Sequence, residues 1–181
     1  MLLGNRVFLR GMEEKDIPHK VKWINDNEVR KTLNFDYPIS EISTKQWLNK
    51  ITSDNSRKEF IICLLESEKP IGYTGLLDIN NKSSKAEMYI GIGEKEYWGK
   101  GYAKESRKVL LEYAFMEIGL NKIYTYNWVN NEKIIGLNKK LGFQIEGILR
   151  KDIFSHGEFR DRIIMGILRN EYIENFHNNE K

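Results

Sequence analysis

An apolar strand, a glycine loop and an amphipathic helix follow one another in the middle of this chain. Met88, Ile90 and Ile92 alternate as in a strand, and Gly99-Lys100-Gly101 lies between them and a long amphipathic stretch. A helix start leaves backbone N–H groups unpaired and carries the positive end of the helix dipole, so it suits an anionic group such as phosphate. Because turns use glycine for other reasons too, the rest of the chain has to show what this loop holds.

The composition is that of an ordinary globular protein. Of the 181 residues, 40% are hydrophobic and 30% charged, with a formal net charge of +3, which predicts a single domain over residues 1–181. There is no basic stripe, signal pattern or apolar stretch of transmembrane length, so we expect no nucleic acid or membrane partner and a cytoplasmic location. The single cysteine, Cys63, lies in an apolar run and is expected to be buried rather than nucleophilic.

Hydrophobic periodicity predicts an α/β or α+β fold, with one largely antiparallel sheet and helices packed on it. Strands are predicted at residues 6–10, 60–65, 71–79, 86–92, 123–129, 144–154 and 158–168. Helices are predicted at residues 13–25, from Ser43 or Thr44 to 51, 101–118 and 132–141. Asp36-Tyr37-Pro38 is expected to break a helix, and Ser155-His156-Gly157 to form a tight turn. The residues after Arg169 are expected to form a short charged tail.

With this order of elements, the chain resembles the GNAT superfamily of acyl-CoA-dependent N-acetyltransferases over nearly its whole length. Residues 96–103 match the family's pyrophosphate loop, except that Glu96 stands where the family usually has Gln or Arg. Asn131-Glu132-Lys133, followed by Leu141-Gly142-Phe143, matches the second signature. The closing stretch around Arg160-Asp161 is similar to the branch of ribosomal-protein N-terminal, spermidine and amino-sugar acetyltransferases. The resemblance implies a mixed, mostly antiparallel sheet flanked by helices, with a splayed strand pair that holds acetyl-CoA.

The resemblance also implies where acetyl-CoA binds. The pantetheine arm would pair with the backbone of Ile90, Gly91 and Ile92, as an added strand does. The pyrophosphate would lie on the backbone N–H groups of Trp98, Gly99, Lys100, Gly101, Tyr102 and Ala103. Asn131 matches the Asn that hydrogen-bonds the pantetheine. No metal is expected, because His19, His156 and His177 lack the spacing of metal ligands.

Glu87 lies on the strand that enters the loop, and strand alternation puts it on the face of Tyr89, opposite Met88. The family often has a general base at this position. An alkylammonium has a pKa of ~10.4, so its deprotonation at pH 7 costs about 4–5 kcal/mol, and a carboxylate could accept that proton. The alternative is a structural carboxylate that pairs with an arginine or caps backbone groups. Both interpretations remain open from the sequence.

Two asparagines occur on the predicted helix at residues 132–141 or at its start. Ile134, Leu137 and Leu141 would form the core stripe, with Asn131 and Asn138 along an adjacent edge. Asn138 stands where many family members have the Tyr that protonates the departing thiolate. An asparagine amide does not release a proton at neutral pH, but its N–H can hydrogen-bond the sulfur. The proton donor would then be water or one of two strand tyrosines, Tyr124 and Tyr126. Aromatic residues on strands are more typical of packing than of proton transfer.

The resulting hypothesis is an N-acetyltransferase in which a bound primary amine attacks acetyl-CoA directly, without a covalent enzyme intermediate. The acceptor is left open between a small amine, a polyamine, an amino sugar and a peptide N-terminus. Trp23 is expected to line the substrate side, and family habit predicts a homodimer. One alternative is a non-catalytic acetyl-CoA sensor, favoured by Asn138 and by the open role of Glu87. The other is an interaction protein that binds no acetyl-CoA.

Overall fold

The computed structural model describes residues 1–31, 37–155 and 157–176. The strands are β1 (Leu2–Leu3), β2 (Val7–Gly11), β3 (Lys58–Leu64), β4 (Pro70–Asn80), β5 (Lys85–Ile92), β6 (Lys122–Trp128), β7 (Gln144–Ser155) and β8 (Glu158–Leu168). The α-helices are α1 (Ile17–Asn25), α2 (Asn27–Arg30), α3 (Glu41–Ile51), α4 (Tyr102–Glu112), α5 (Glu132–Lys140) and α6 (Arg169–Phe176). Turns of 3₁₀-helix cover Glu14–Asp16 and Lys95–Tyr97, and a π-helical turn, Tyr113–Glu117, continues α4.

The strands form one eight-stranded sheet in the order β1-β2-β3-β4-β5-β6-β8-β7. The β5–β6 pair is parallel, whereas β1–β2, β2–β3, β3–β4, β6–β8 and β7–β8 are antiparallel. The predicted class is therefore confirmed: an open, mostly antiparallel mixed sheet flanked by helices. The predicted extent of a single domain over residues 1–181 stays a prediction.

The chain folds as two compact units. The first, called the N-terminal unit here, comprises Met1–Leu77 and Tyr89–Leu110. Its core contains Phe8, Trp23, Ile24, Ile61, Cys63 and Tyr73. Because Cys63 is completely buried, and burial raises the pKa of its thiol, the prediction of a buried cysteine is confirmed.

The second unit, called the C-terminal unit, comprises Asp78–Met88 and the chain from Leu111 onward. Its core is built from apolar strand residues such as Ile123, Met165 and Ile167, packed with Phe115 and Tyr172. Arg169–Phe176 forms the helix α6, so the prediction of a charged tail is wrong over those residues. Tyr172 explains the difference, since its ring is fully buried 5.2 Å from that of Phe115 and its hydroxyl donates to Glu112 Oε2 at 2.6 Å.

The N-terminus of α3 also differs from the prediction. Ser40, not Ser43 or Thr44, is the N-cap, and its Oγ accepts a hydrogen bond from Ser43 N at 3.1 Å. Ser43 Oγ in turn accepts from the backbone N–H of Ser40, so the two serines form a capping box. Asp36, predicted to break a helix, and His156, predicted in the β7–β8 turn, lie outside the described residues.

Candidate active site

The predicted donor loop lies in the N-terminal unit between β5 and α4. A 3₁₀ turn at Lys95–Tyr97 follows β5, and α4 begins at Tyr102. The indole Nε1 of Trp98 donates to the carbonyl of Ile92 at 2.8 Å. This bond ties the loop to the end of the strand on which the pantetheine is predicted to lie.

Two glycines give the loop its shape. Gly99 has φ +73° and Gly101 has φ +87°, a left-handed conformation that costs other residues free energy. A Cβ added at Gly99 would meet no atom within 4 Å, so the backbone there faces open space. The eleven-residue helix α4 starts directly afterwards, with its first N–H groups unpaired within the helix. The loop therefore fits a pyrophosphate, and Lys100 adds a positive charge.

Arg6, immediately before β2, holds this loop in place. Its Nη1 donates to the carbonyl of Lys100 at 3.2 Å, and its guanidinium lies 4.5 Å from the ring centre of Tyr102. Sequence reasoning missed this residue, because only the fold brings β2 beside the loop. Glu96, the departure from the family pattern, forms an exposed ion pair with Lys69 at 2.6 Å.

Two aromatic rings lie against the backbone that leads into the loop. A Cβ at Gly91 would lie 2.7 Å from Tyr73 Cζ, and one at Gly93 would lie 2.1 Å from Trp23 Cγ. Trp23 is fully buried and donates through Nε1 to Glu94 at 2.8 Å. The expectation that Trp23 lines the substrate side is therefore wrong: it packs in the core and supports the donor segment from behind.

Glu87 lies in the C-terminal unit, where β5 pairs with β6. It is in register with Tyr124 and half-buried. Burial raises the pKa of Glu87; Arg162 lowers it and Asp78 raises it to a smaller extent. Among residues 1–31, 37–155 and 157–176, no hydrogen bond or ion pair to the Glu87 carboxylate is found. Glu87 is therefore a partly desolvated carboxylate whose oxygens are available to a ligand or water.

Aromatic side chains line the same face of the sheet as Glu87. Tyr124 and Tyr126 meet edge to face, with ring centres 5.7 Å apart. The Arg162 guanidinium lies 4.2 Å from the ring centre of Tyr126, and its Nε donates to Asp152 at 2.5 Å. Burial, with Glu87 adding a smaller effect, raises the pKa of Tyr124 to about 12.

Asn138 has the innermost place on α5. It is 0% exposed, and its Nδ2 donates to Asn127 Oδ1 at 3.4 Å. Of the predicted core stripe only Leu141 is buried, while Ile134 and Leu137 are half-buried, so that prediction is wrong for two of its three members. The amide can replace an apolar side chain there because it has a hydrogen-bonding partner.

Asn131 is the N-cap of α5. Its Oδ1 accepts a hydrogen bond from Ile134 N at 3.3 Å, which satisfies one of the unpaired N–H groups of the helix start. The side-chain amide N–H groups are donors that this cap does not use. The predicted contact of Asn131 with the pantetheine stays a prediction.

The two predicted catalytic residues lie on opposite faces of the sheet. Glu87 shares its face with Tyr124, because residues in register on neighbouring strands point the same way. Asn127 is three positions beyond Tyr124 on β6, so it points to the other face, and Asn138 binds it there. The C-terminal unit therefore does not bring Glu87 and Asn138 together on one face.

Two further features, a metal-binding group and a membrane-spanning helix, are not found among the described residues. No group of three or more His, Cys, Asp or Glu side chains there is arranged to hold a metal ion. No helix there has both the length and the apolar character needed to cross a bilayer. His177, like His156, lies outside the described residues.

Comparison with known proteins identifies the family. The model of the acetyltransferase (GNAT) domain matches residues 6–144. The spermidine N(1)-acetyltransferase of Escherichia coli (strain K12) is 32% identical over 172 residues, which cover 94% of this chain and 90% of that protein. The putative ribosomal N-acetyltransferase YdaF of Bacillus subtilis (strain 168) is 31% identical and covers 94% of this chain and 95% of its own.

A solved structure agrees with these relatives. The crystal structure of spermidine N-acetyltransferase from Vibrio cholerae in complex with CoA and spermine superposes with a TM-score of 0.87 at 28% identity, covering 93% of this chain and 98% of that one. The predicted family, fold class and co-substrate are thereby confirmed. The chain belongs to the GNAT acetyltransferase family and is an acyl-CoA N-acetyltransferase that uses acetyl-CoA.

Proposed function

We propose that this protein acetylates a primary amine by direct attack of the bound amine on the thioester of acetyl-CoA. The amine nitrogen forms a bond to the acetyl carbon, the carbon–sulfur bond breaks, and CoA leaves as the thiolate. Before the attack the bound ammonium loses one proton to Glu87, directly or through water, and a second nitrogen proton passes to water as the amide forms. Holding both reactants together supplies much of the rate acceleration, and no covalent enzyme intermediate is involved.

The state of the Glu87 carboxylate is the observation that carries this proposal. A structural carboxylate would be paired with an arginine, but Arg162, the cation that acts on Glu87 electrostatically, is bound to Asp152 instead. Burial raises the pKa of Glu87, which makes it a better proton acceptor than a solvated carboxylate. These properties favour the general base over the structural alternative.

The proton donor for the departing thiolate is proposed to be water. Asn138 has no proton to release near neutral pH, and burial raises the pKa of both Tyr124 and Tyr126, which makes them weaker acids. A thiolate with a pKa of ~8.5 leaves without full protonation in the transition state. A hydrogen bond from Asn138 to the sulfur remains a prediction.

We propose a polyamine such as spermidine as the acceptor. Two of the relatives described above are named as spermidine acetyltransferases. Within the C-terminal unit, Glu87 and the rings of Tyr124 and Tyr126 share one face, and Asp78 acts electrostatically on both Glu87 and Tyr124. Carboxylates and aromatic ring faces both attract alkylammonium groups. A cytoplasmic location and a homodimer are parts of the same proposal, and the buried free Cys63 suits a reducing compartment.

Thiol release from acetyl-CoA, measured over a panel of amines, tests the function. The panel contains spermidine, spermine, a peptide with a free α-amine and glucosamine. The expected result is saturable release that is fastest with the polyamines. Fastest release with the peptide or the amino sugar would overturn the proposed acceptor. If CoA binds but no amine accelerates release, the protein is an acetyl-CoA sensor instead.

A further inference from the structure

Lys20 is a buried cation that the proposed reaction does not use. It projects from α1 in the N-terminal unit and is only 3% exposed. Its Nζ lies 3.4 Å from Oε2 of Glu59 on β3, whose side chain is also almost fully buried. Burying a charged pair costs free energy, so the presence of the pair is not by itself explained by a gain in stability.

The surroundings of Lys20 have the chemistry of an ammonium-binding site. The Nζ atom lies 3.6 Å from the ring centre of Trp47 and 5.4 Å from that of Tyr73. The Sδ atom of Met12 lies 4.0 Å away. Aromatic faces combined with a carboxylate are the usual means of binding an alkylammonium. We call this set, formed by Met12, Trp47, Glu59 and Tyr73, the ammonium cage.

The carboxylate of the cage also holds β5. Glu59 Oε2, the oxygen that faces Lys20, accepts a hydrogen bond from the hydroxyl of Tyr89. The backbone carbonyl of Tyr89 accepts from Thr74 Oγ1 at 2.6 Å. Tyr89 is thus held through its side chain and its main chain. The segment predicted to bind the pantetheine begins at the next residue.

An aromatic wall of the cage touches that segment as well. Tyr73, which faces Lys20, packs against Gly91 so closely that a Cβ there would lie 2.7 Å from its Cζ. The Tyr89 side chain packs just as closely against Gly75, where an added Cβ would lie 2.7 Å from the Tyr89 hydroxyl. The cage therefore contacts β5 at two points, Tyr89 through Glu59 and Gly91 through Tyr73.

We propose that the ammonium cage is an alkylammonium-binding site which the chain fills with its own Lys20, and that the filled cage positions Tyr89 and Gly91 for acetyl-CoA binding. Lys20 is thereby a positioning residue: Arg57 lies 3.3 Å from Oε1 of Glu59, whereas Lys20 faces Oε2, the oxygen that accepts from Tyr89. Without the Lys20 ammonium, that oxygen loses the cation that fixes it as the Tyr89 acceptor. The proposal rests on the proposed function in that it takes Ile90, Gly91 and Ile92 as the pantetheine segment.

Chemical rescue of Lys20→Ala tests the proposal. The substitution removes the atoms of n-propylammonium, so this cation should refill the cage, whereas n-propanol has the same length without the charge. Binding of CoA, which carries no acetyl group and cannot consume the amine, is measured by calorimetry in each buffer. We expect Lys20→Ala to weaken CoA binding by about tenfold, and propylammonium but not propanol to restore it.

Two controls complete the design. Lys45→Ala removes an exposed lysine that pairs with Glu14 at 2.8 Å, and should bind CoA like the wild type. Lys20→Met keeps the apolar stem inside the cage and lacks the charge, so it should fold yet bind CoA as weakly as Lys20→Ala. Wild-type protein should not respond to propylammonium.

Three outcomes would overturn the proposal. They are wild-type CoA affinity in folded Lys20→Met, equal rescue by propanol, and no rescue of folded Lys20→Ala by propylammonium. Failure of the proposed function looks different. In that case CoA binding still responds to the occupancy of the cage, while no amine accelerates thiol release from acetyl-CoA.

Discussion

Glu105, in the first turns of α4, binds the backbone of Arg6, which lies 99 positions earlier in the chain. Its Oε1 accepts from the Arg6 backbone N–H at 2.6 Å and from that of Val7 at 3.3 Å, while Oε2 accepts from Arg6 Nε at 2.9 Å. This carboxylate therefore fixes the start of β2 against the helix whose N-terminus is proposed to bind pyrophosphate. It also predicts a stability that depends on pH.

Burial alone would raise the pKa of Glu105, but hydrogen bonds from Arg6 outweigh it and lower the pKa below the usual value. Its contribution to stability is therefore complete above the unfolded-state pKa and is lost as the pH falls through the folded-state pKa. We expect Glu105→Gln to lower the free energy of unfolding by about 1–2 kcal/mol at pH 7, and by less at pH 3. Urea unfolding across this range measures the difference, with the exposed Glu28→Gln as control. A loss that does not depend on pH would contradict this account.

Replacing Glu87 by Gln should remove the proton acceptor and keep the shape of the side chain. We expect kcat/KM for the amine to fall by about 100-fold or more, while CoA affinity is unchanged. A base acts only when deprotonated, so kcat/KM of the wild type should fall at acidic pH. Because the pKa of Glu87 is raised, this fall should begin above the ordinary carboxyl pKa, and it should be absent from the variant. Initial rates measured from about pH 5 to 9 check this, because the fall is expected within that range. Glu158→Gln, which removes an exposed partner of Arg160, is the control. If the pH dependence of kcat/KM were the same in Glu87→Gln as in the wild type, Glu87 would be a structural residue and not the base.

Gly99→Ala should weaken acetyl-CoA binding. At φ +73° an alanine costs about 1–2 kcal/mol, so the loop would move toward another conformation and CoA affinity would fall by about tenfold. Calorimetric titration with CoA checks this. Gly136→Ala is the matched control, because Gly136 lies within α5 with open space around its Cα. That substitution should raise stability by about 0.5–1 kcal/mol without weakening CoA binding. Equal CoA affinity in both variants would rule out a role for the Gly99 conformation.

The burial of Lys20 predicts a second pH dependence, which falls in the alkaline range. Burial lowers its pKa to about 8, with Glu59 opposing the shift. Above this pH the folded protein has released a proton that the unfolded chain still binds, so stability rises with pH. Compared with Lys20→Met, the wild type should gain up to about 3 kcal/mol between pH 8 and 10.5. Urea unfolding of both proteins measures the gain. The other titratable groups of the network, Arg57, Glu59, Tyr73 and Tyr89, are present in both, so a constant difference would contradict the burial of a charged Lys20.

The donor side of the site could be predicted because its signals are local. The alternation of Met88, Ile90 and Ile92, the glycines at 99 and 101 and the amphipathic stretch after them are adjacent in the chain, and local geometry follows from local sequence. The order of strands and helices was predictable for the same reason. The helix after Arg169 was missed because its polar composition gives little sign of packing, which depends on the distant Phe115 and Glu112.

The sequence by itself determined the family, the order of elements and the loop that suits a pyrophosphate. Only the tertiary structure decided what each polar group is paired with. It left the Glu87 carboxylate without a partner among the described residues, placed Asn138 on the opposite face against Asn127, and enclosed Lys20 between Glu59 and Trp47. Pairing and burial depend on residues far apart in the chain, and they decide whether a carboxylate, an amide or an ammonium is a reactant or a structural group. For that reason the loop between Trp98 and Tyr102 is readable from sequence, whereas the pairing of Glu87, Asn138 and Lys20 is not.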